Sequence, residues 1–175
     1  VSAEMLPLLP TQSSILIGLS GGVDSVVLLH LFHSLSTRFN WQLSALHVHH
    51  GISANADAWR DFCIDLCTRL NIPLRTKNVD IAPLKGMGIE AAARKLRHAA
   101  FAEQACDFVA LAHHADDQAE TLLLQLLRGA GVRGASAMPQ LIIRSGTSSL
   151  VRPLLHCSRA ELMAYADEND LQWIE

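Results

Sequence analysis

The chain has 175 residues, half of them hydrophobic, and a mean hydropathy of +0.22. This length and composition predict one globular domain, residues 1–175, with a core of its own. The net charge of −3 excludes a uniformly basic surface, so an RNA partner would have to meet a local basic face or a part of the protein outside this chain. Residues 1–14 lack the basic start of a signal peptide, and no run reaches the roughly 18 apolar residues of a membrane span, so we expect a cytoplasmic protein with no membrane partner.

Strand-like and helix-like segments alternate along the chain. The predicted strands are 15–19, 42–48, 74–79, 107–112 and 172–174, together with a hairpin of 141–144 and 149–153. The predicted helices are 26–35, 54–70, 89–106, 116–128 and 158–169, and 82–88 is predicted to be a loop. This order predicts an α/β fold, a doubly wound, mainly parallel sheet of about five strands with helices on both faces.

The four cysteines, Cys63, Cys67, Cys106 and Cys157, contain no C-x-x-C pair. Cys63 and Cys67 lie on one face of a predicted helix. We interpret them as small apolar core residues in a reducing compartment rather than as a disulfide or a metal site.

A glycine-rich turn joins the first predicted strand to the first predicted helix. The apolar run that ends at Leu19 is followed by the segment Ser20 to Ser25, S-G-G-V-D-S, and then by a helical pattern. Glycines let the backbone approach a ligand closely, and the free N–H groups of a helix's first turn attract an anion. The segment therefore favours a phosphate site.

Other interpretations fit the same letters. The segment lacks the lysine of G-x-x-x-x-G-K-[ST], so it is not a Walker loop. Residues 18–22 do fit G-x-S-x-G, the nucleophile elbow of the α/β-hydrolases, with Ser20 as nucleophile. A tight turn without any ligand is the third interpretation.

Polar segments follow three of the predicted strands: 20–25, 47–51 and 113–117. The carboxyl ends of parallel strands meet at one edge of a sheet, so we expect these segments to converge on one crevice.

The segment 113–121, H-H-A-D-D-Q-A-E-T, concentrates titratable side chains before an apolar helix. Asp116 or Asp117 as a helix N-cap would explain one or two of the acids. Asp117 and Glu120 share a helix face at i,i+3, as Asp116 and Glu120 do at i,i+4, and such a pair suits Mg²⁺ or an ammonium group. The histidines, with His47, His49 and His50 across the crevice, leave a zinc site as a weaker alternative, because no thiolate or H-E-x-x-H spacing accompanies them.

The segment Ser20 to Ser25 resembles the S-G-G-x-D-S signature of the N-type ATP pyrophosphatases, the PP-loop family. This resemblance implies that the loop binds ATP, that ATP is cleaved between its α- and β-phosphates, and that AMP is transferred to a substrate oxygen. It says little about the substrate.

Further segments resemble the tRNA(Ile)-lysidine synthetases. Residues 113–121 match H-H-x-D-D-Q-x-E-T, with 127–129 (L-R-G) shortly after, and 47–52 resemble H-V-[ND]-H-G-L, with His49 for Asn or Asp and Ile52 for Leu. Residues 90–97 match the E-x-x-A-R-x-x-R-like helix, and 152–162 match R-P-L-L…R-x-E-L. The resemblance runs from about residue 15 to residue 175. PP-loop enzymes that thiolate tRNA usually carry S-G-G-K-D-S and C-x-x-C, so Val23 and the missing C-x-x-C argue against them.

The resemblance implies a ligase that uses ATP and Mg²⁺ to adenylate the wobble cytidine of tRNA(Ile) with a CAU anticodon. The ligase then attaches L-lysine, which changes codon recognition from AUG to AUA. The catalytic residues it implies are Asp24, Arg94, Asp117 and Glu120. The nucleotide-binding residues it implies are Gly18, Ser20, Gly21, Gly22, Val23, Asp24, Ser25, His47, Arg97 and His113. Asp117, Glu120, Arg128 and Arg133 are implied for lysine and tRNA, and Asp24 for Mg²⁺.

Several alternatives stay open. On the residues alone, Arg94 and Arg97 with Glu90 equally suit an ion-paired exposed helix face, and Arg128 and Arg133 equally suit a helix C-cap and its neighbour. A serine hydrolase using Ser20 would need a later Asp and His, for which His156 lacks supporting context, and a nucleotide-binding module without chemistry would leave the carboxylates unused. The synthetases continue into regions that help hold tRNA, so we expect this chain to be the catalytic domain alone. The oligomeric state is left open, with a homodimer as one expectation.

Overall fold

The structure is a computed structural model that describes residues 9–51, 53–129 and 137–174. Strands and helices alternate through most of its length. In chain order the elements are β1 (Ser14–Gly18), α1 (Val23–Phe39), β2 (Gln42–His49), α2 (Ala56–Arg69), β3 (Leu74–Asn78), a 3₁₀ helix (Ala82–Met87), α3 (Ile89–Ala102), β4 (Phe108–Ala110), α4 (Ala115–Leu127), β5 (Leu141–Ile142), β6 (Ser149–Val151) and α5 (Arg159–Glu168).

The strands form one sheet of six, in the order β3-β2-β1-β4-β6-β5. Neighbouring strands from β3 to β6 pair in parallel, and β5 pairs antiparallel with β6 at the edge. The predicted doubly wound α/β fold is confirmed, with six strands instead of about five. Because β1 lies between β2 and β4, the glycine turn after β1 stands between the loops that follow its two neighbours.

Alternate residues of β1 enter two different cores, as the two-residue period of a strand requires. Ile15 and Ile17 pack with residues of α1, α2 and α5 such as Leu28 and Cys63, whereas Leu16 packs on the other face with residues that include Phe101 of α3. Helices therefore cover both faces of the sheet. A central strand buried on both faces reads as a continuous apolar run, which is why this segment was recognisable in the sequence.

The ends of the helices carry recognisable signals. Asn40 ends α1 in the left-handed conformation, with φ 54°, and its N–H bonds to the Ser36 carbonyl. The α5 helix begins with a capping box in which Ser158 Oγ accepts from the Glu161 N–H, while Glu161 Oε2 accepts from the Ser158 N–H at 2.7 Å.

Several predicted boundaries are wrong. Residues 172–174 form no strand, because Ile174 lies across the glycine turn, where its N–H bonds to the Gly21 carbonyl at 3.0 Å. Helix α3 ends at Ala102 rather than at 106, since the chain must turn to place Asp107 against Ser14 at the start of β1. The predicted loop 82–88 contains the 3₁₀ helix.

Cys63 and Cys67 are buried in the larger core, and all four cysteines are free thiols. Within the described residues, no helix combines the length and the apolar character needed to cross a membrane.

Candidate functional site

A cleft of about 720 Å³ lies at the carboxyl ends of β1, β2 and β4. The three loops that follow these strands meet there, and the α3 and α4 helices form its other walls. Its polar or glycine lining residues are Gly18, Ser20, Asp24, Ser25, His47, His49, His50, Gly51, Ser53, Glu90, Arg94, Arg97, His98, His113, Asp117, Glu120 and Thr121.

The buried hydroxyl of Ser25 organises the glycine turn. Its Oγ accepts from the backbone N–H groups of Ser20 and Gly21, both at 3.2 Å, and donates to the Gly22 carbonyl at 2.9 Å. The N–H groups of Ser20 and Gly21 are therefore already bonded within the loop rather than free for a ligand. Contact of Ser25 with the nucleotide stays a prediction; in the structure Ser25 lines the cleft and its hydroxyl holds the loop in shape.

The free donors of the turn are the first amides of α1. The backbone N–H groups of Val23 and Asp24 have no acceptor among the described residues, as expected for the first turn of a helix. The side chain of Val23 is buried in the core, so only the backbone of this residue is left for a ligand, and Val23 is not among the residues that line the cleft. Together with the helix dipole, the two amides make this end of the cleft suitable for a phosphate.

Two glycines of the segment are required by close contacts. Gly21 has φ +96°, and a Cβ there would lie 2.6 Å from Ile174 Cδ1. A Cβ on Gly18 would lie 2.8 Å from the Phe101 ring. Both sites exclude larger residues, whatever ligand the loop takes.

A histidine that was not among the predicted site residues joins the two acidic parts of the cleft. Nε2 of the buried His114 is 3.7 Å from Asp24 Oδ2 and 3.6 Å from Asp117 Oδ2. The other oxygen of Asp24, Oδ1, is buried without a hydrogen-bond partner in the part of the chain that the structure describes. Buried polar atoms in proteins are nearly always bonded, so this oxygen suggests a ligand position. The adjacent histidines His113 and His114 were the sequence signal for this residue.

The predicted N-cap of α4 is corrected, because His114 occupies that position rather than Asp116 or Asp117. Asp117, three residues later, accepts from the His114 N–H at 2.8 Å, while Asp116 points away and accepts from the Arg159 N–H at 3.3 Å. Asp117 and Glu120 line the cleft and Asp116 does not. The acidic pair that faces the cleft is therefore Asp117 with Glu120.

Histidines line the cleft on both sides of the glycine turn, with His47 on β2 and His113 after β4. His47 Nδ1 lies 2.9 Å from the Leu19 carbonyl, which indicates that this nitrogen carries the proton and leaves Nε2 as an acceptor. Burial lowers the pKa of His47 more than this hydrogen bond raises it. Burial, and after it the positive charge of Arg152, lowers the pKa of His113 to about 4, and its buried Nδ1 has no partner. Both imidazoles are therefore neutral at pH 7.

Arg94 and Arg97 line the cleft from α3. No salt bridge joins Glu90 to Arg94 or either arginine to another acid among the described residues, so the ion-paired helix face is not what the structure contains. Arg128 is exposed just after α4 and outside the cleft lining, where its N–H bonds to the Leu124 carbonyl as a C-cap. Arg133 lies outside the described residues.

The hydrolase interpretation lacks its geometry. Ser20 Oγ lies 3.0 Å from Ser25 Oγ and accepts from the Gly22 N–H at 3.3 Å, and no histidine bonds to it in the described part of the chain. A nucleophilic serine needs a base within hydrogen-bond reach. His156, the candidate base, is exposed at the start of α5. The ranges 9–51, 53–129 and 137–174 also contain no group of three His, Cys, Asp or Glu side chains that could hold a metal ion by themselves.

Known proteins resemble this chain over nearly all of its length. The chain is 48% identical over 175 residues to a tRNA(Ile)-lysidine synthase of Aromatoleum aromaticum and 49% identical over 174 residues to one of Xanthomonas axonopodis pv. citri. These matches cover 100% and 97% of this chain, but only 40% and 39% of the two relatives. The chain thus spans about 40% of the length of the curated relatives it matches.

Among solved structures, a U34-tRNA thiolase from Methanococcus maripaludis superposes with a TM-score of 0.79 over 97% of this chain and 61% of its own, at 20% identity. At that identity the likeness shows the shared fold. The profile of the PP-loop domain matches residues 2–175. A match of that extent, together with a glycine turn whose residues Ser20, Asp24 and Ser25 line the cleft, means that this chain belongs to the PP-loop domain family.

Proposed function

We propose that this chain is the catalytic domain of a tRNA(Ile)-lysidine synthase. In this proposal it uses ATP to activate the wobble cytidine of tRNA(Ile) with a CAU anticodon and joins lysine to that base. The observation that carries the proposal is that the glycine turn and the pair Asp117 and Glu120 line one cleft, so that groups suited to a phosphate and groups suited to an ammonium face the same space. The identity of 48% over the whole chain to relatives with that name supports it.

The nucleotide would bind at the amino end of α1. The free amides of Val23 and Asp24 would hold phosphate oxygens, and preorganised N–H groups of this kind stabilise the charge that develops as pyrophosphate leaves. The residues fit Mg²⁺ as well, because the unpartnered Asp24 Oδ1 supplies one carboxylate oxygen and Mg²⁺ is usually held by one or two carboxylates with substrate phosphates. When bound, the ion would neutralise phosphate charge.

The chemistry implied by the family begins when the carbonyl oxygen on the cytosine ring attacks the α-phosphate of ATP and pyrophosphate leaves. The lysine ε-amine then displaces AMP from the activated ring carbon. Glu120, exposed at the cleft wall, and Asp117, one helical turn before it, would hold the lysine through its ammonium groups. Arg94, which has no acidic partner among the described residues, would balance charge on the transferred phosphate.

The test measures pyrophosphate release by the natural protein that contains this chain, with ATP, Mg²⁺, lysine and tRNA(Ile) carrying CAU, omitting one component at a time. We expect release that depends on tRNA, incorporation of radiolabelled lysine into the RNA, and loss of both in Asp24→Ala. Glu120→Gln should raise the KM for lysine more than the KM for ATP, whereas Glu168→Gln, an exposed acid on α5, should change neither.

Sulfur transfer to the same RNA without lysine incorporation would replace the proposal by a tRNA thiolase. If pyrophosphate appears under no condition, the chain is a nucleotide-binding module. Labelling of Ser20 by a fluorophosphonate would favour the hydrolase.

A further inference from the structure

Four arginines, called here the arginine cluster, are close enough to His98 to add to the lowering of its pKa by burial: Arg94, Arg97, Arg144 and Arg152. Arg94 and Arg97 line the cleft from α3, whereas Arg144 and Arg152 lie near β6 outside the cleft lining. None of them has a carboxylate within 4 Å in the described part of the chain. Among the lysines and arginines of the described residues, only Arg60 and Lys77 pair with an acid, so this feature alone does not distinguish the cluster. What distinguishes it is that one member is buried.

The buried member, Arg152, is the most informative. Its side chain lies at the end of β6 with 6% of the residue exposed. One guanidinium nitrogen donates to the Pro139 carbonyl at 2.7 Å, but Nε is buried and has no partner among the described residues. A buried charge is costly unless it is paired and hydrogen-bonded, so this position calls for an anion that this part of the chain does not provide.

The topology of the sheet places Arg152 beside the site. Val151 pairs with Ala110 of β4, and the Leu111 N–H bonds to the Val151 carbonyl at 3.0 Å, so Arg152 stands next to the loop that carries His113. It also lies under segment 138–140, whose Met138 lines the cleft and is held to Gln118 of α4 by two hydrogen bonds.

Arg152 and the glycine turn are separate places. β6 is two strands from β1, which corresponds to about 10 Å at the usual strand spacing. The turn already offers its own free amides for the phosphates of ATP. A second anion is therefore the better explanation of Arg152.

We propose that Arg144 and Arg152 of the arginine cluster form a second anion site, and that it holds a backbone phosphate of the substrate RNA beside the nucleotide that enters the cleft. This inference rests on the proposed function, in which Arg94 serves the phosphate of ATP. Guanidinium groups suit phosphate because their planar donors bind two of its oxygens at once. Bases of single-stranded RNA loops can be splayed into a pocket while their phosphates stay outside it, where the exposed Arg144 together with the buried Arg152 would hold one of them.

The test compares two ligands in the natural protein that contains this chain. One is a stem-loop RNA with a CAU anticodon, titrated at several salt concentrations, and the other is a non-hydrolysable ATP analogue. Arg144→Gln and Arg152→Gln should each weaken RNA binding about tenfold, as expected for loss of a charged hydrogen bond, and reduce the salt dependence by about one phosphate contact. Affinity for the ATP analogue should not change.

Arg69→Gln is the matched control, because Arg69 is exposed in the last turn of α2, away from the cleft lining. Arg144 is also exposed, so its variant tests the proposal even where Arg152→Gln fails to fold. Arg152→Lys, which keeps the charge, should restore part of the RNA affinity.

Weaker ATP binding with unchanged RNA binding would reassign the cluster to the triphosphate and overturn the proposal. An equal loss in Arg69→Gln, or an unchanged salt dependence, would also overturn it. The two proposals fail separately. If lysine is incorporated but RNA binding does not depend on these arginines, only the second anion site is contradicted. If RNA binding depends on the arginines but no lysine is incorporated, only the lysidine proposal is contradicted.

Discussion

At the scale of single residues, the polar atoms around the cleft fall into two groups. One group is hydrogen-bonded within the protein, and the other is buried without a partner among the described residues. Ser25 Oγ and His47 Nδ1 are both committed to the loop at the end of β1. Asp24 Oδ1 and Nδ1 of His50 and His113 are buried and unpartnered in residues that line the cleft. The second group marks where a ligand would find its contacts.

The Gly21 position gives a sharp test of the loop. Gly21→Ala would force a side chain into φ +96° and against Ile174, so we expect the free energy of unfolding to fall by more than about 2 kcal/mol and ATP binding to be lost. Thermal unfolding and nucleotide titration measure both effects. Gly146→Ala has φ +77° but open space, and Gly86→Ala has neither problem, so the losses should decrease in that order. Equal stability of all three variants would contradict the contact with Ile174.

Stability should fall as the solution becomes acidic, well before the carboxylates are protonated. The pKa of His113 is lowered from 6.5 to about 4, so between these values the unfolded chain binds a proton that the folded chain does not. The stabilisation is therefore fully present above pH 6.5 and is lost as pH falls towards 4, by at most about 3 kcal/mol for this residue. Burial lowers the pKa of four other histidines in the same direction: His30, His47, His50 and His98.

Urea unfolding measured between pH 4 and 7 checks this expectation. His113→Gln should flatten the dependence, because the replacement does not titrate, whereas replacing His156, an exposed residue outside the cleft lining, should leave the slope as it is. A wild-type stability that stays constant over that range would contradict the neutral state of His113.

At the scale of elements, the glycine turn and α1 act as one unit. The turn is shaped by a side chain from the first turn of the helix, Ser25, and by the N–H of Ile174, which arrives from the far end of the chain. The start of α4 also combines a local hydrogen bond with a cleft residue. Asp117 accepts from the N–H of the N-cap residue His114 and lines the cleft. Helix starts therefore carry the site, since only there are backbone N–H groups free.

Removal of the Ser25 hydroxyl should loosen the turn without touching the ligand directly. Ser25→Ala leaves the amides of Ser20 and Gly21 without an acceptor, so we expect a loss of about 1–3 kcal/mol in unfolding free energy and a weaker affinity for ATP. Ser34→Ala on the same helix is the control, because that hydroxyl is exposed and bonds to the Leu31 carbonyl. Retention of full ATP affinity in Ser25→Ala would show that the loop keeps its shape without this bond.

At the scale of the whole molecule, the cleft brings acidic and basic groups together. The chain carries a charge of −3, yet its cleft combines Asp24, Asp117 and Glu120 with Arg94 and Arg97, which have no acidic partner among the described residues. A cleft with both signs of charge suits a substrate that carries both phosphate and ammonium groups. The sheet also ties distant segments together, since Asp107 Oδ2 accepts from the N–H and hydroxyl of Ser14, both at 2.7 Å.

The thiols of Cys63 and Cys67 should report on global unfolding. They are 0% and 1% exposed, and burial raises their pKa values to about 12 and about 11, so neither forms a reactive thiolate near pH 8. We expect iodoacetamide to modify the partly exposed Cys157 in the folded protein and to reach the other two only with denaturant, as mass spectrometry would show. Modification of Cys63 at the rate of Cys157 in the native state would mean that the core opens locally.

The sequence by itself determined the fold class, the order of the elements and the position of the glycine turn. These features depend on local signals: a two-residue or 3.6-residue apolar period, glycines, and caps such as Ser158 with Glu161. The family resemblance was also recognisable in the sequence, because the segments S-G-G-V-D-S and H-H-A-D-D-Q-A-E-T are each short and continuous in the chain.

Only the tertiary structure decided which side chains serve the cleft. The predicted strand 172–174 looked like any short apolar run, but the path of Ile174 depends on the packing of α5 against α1 and on a single bond to Gly21, which no local pattern encodes. The position of Arg152 likewise depends on contacts between distant parts of the chain. It follows Val151, which pairs in the sheet with Ala110, and Ala110 is 42 positions before Arg152 in the sequence. Burial and the absence of an acidic partner are properties of three-dimensional neighbours, and so the buried, unpaired charge became visible only when the strands were paired.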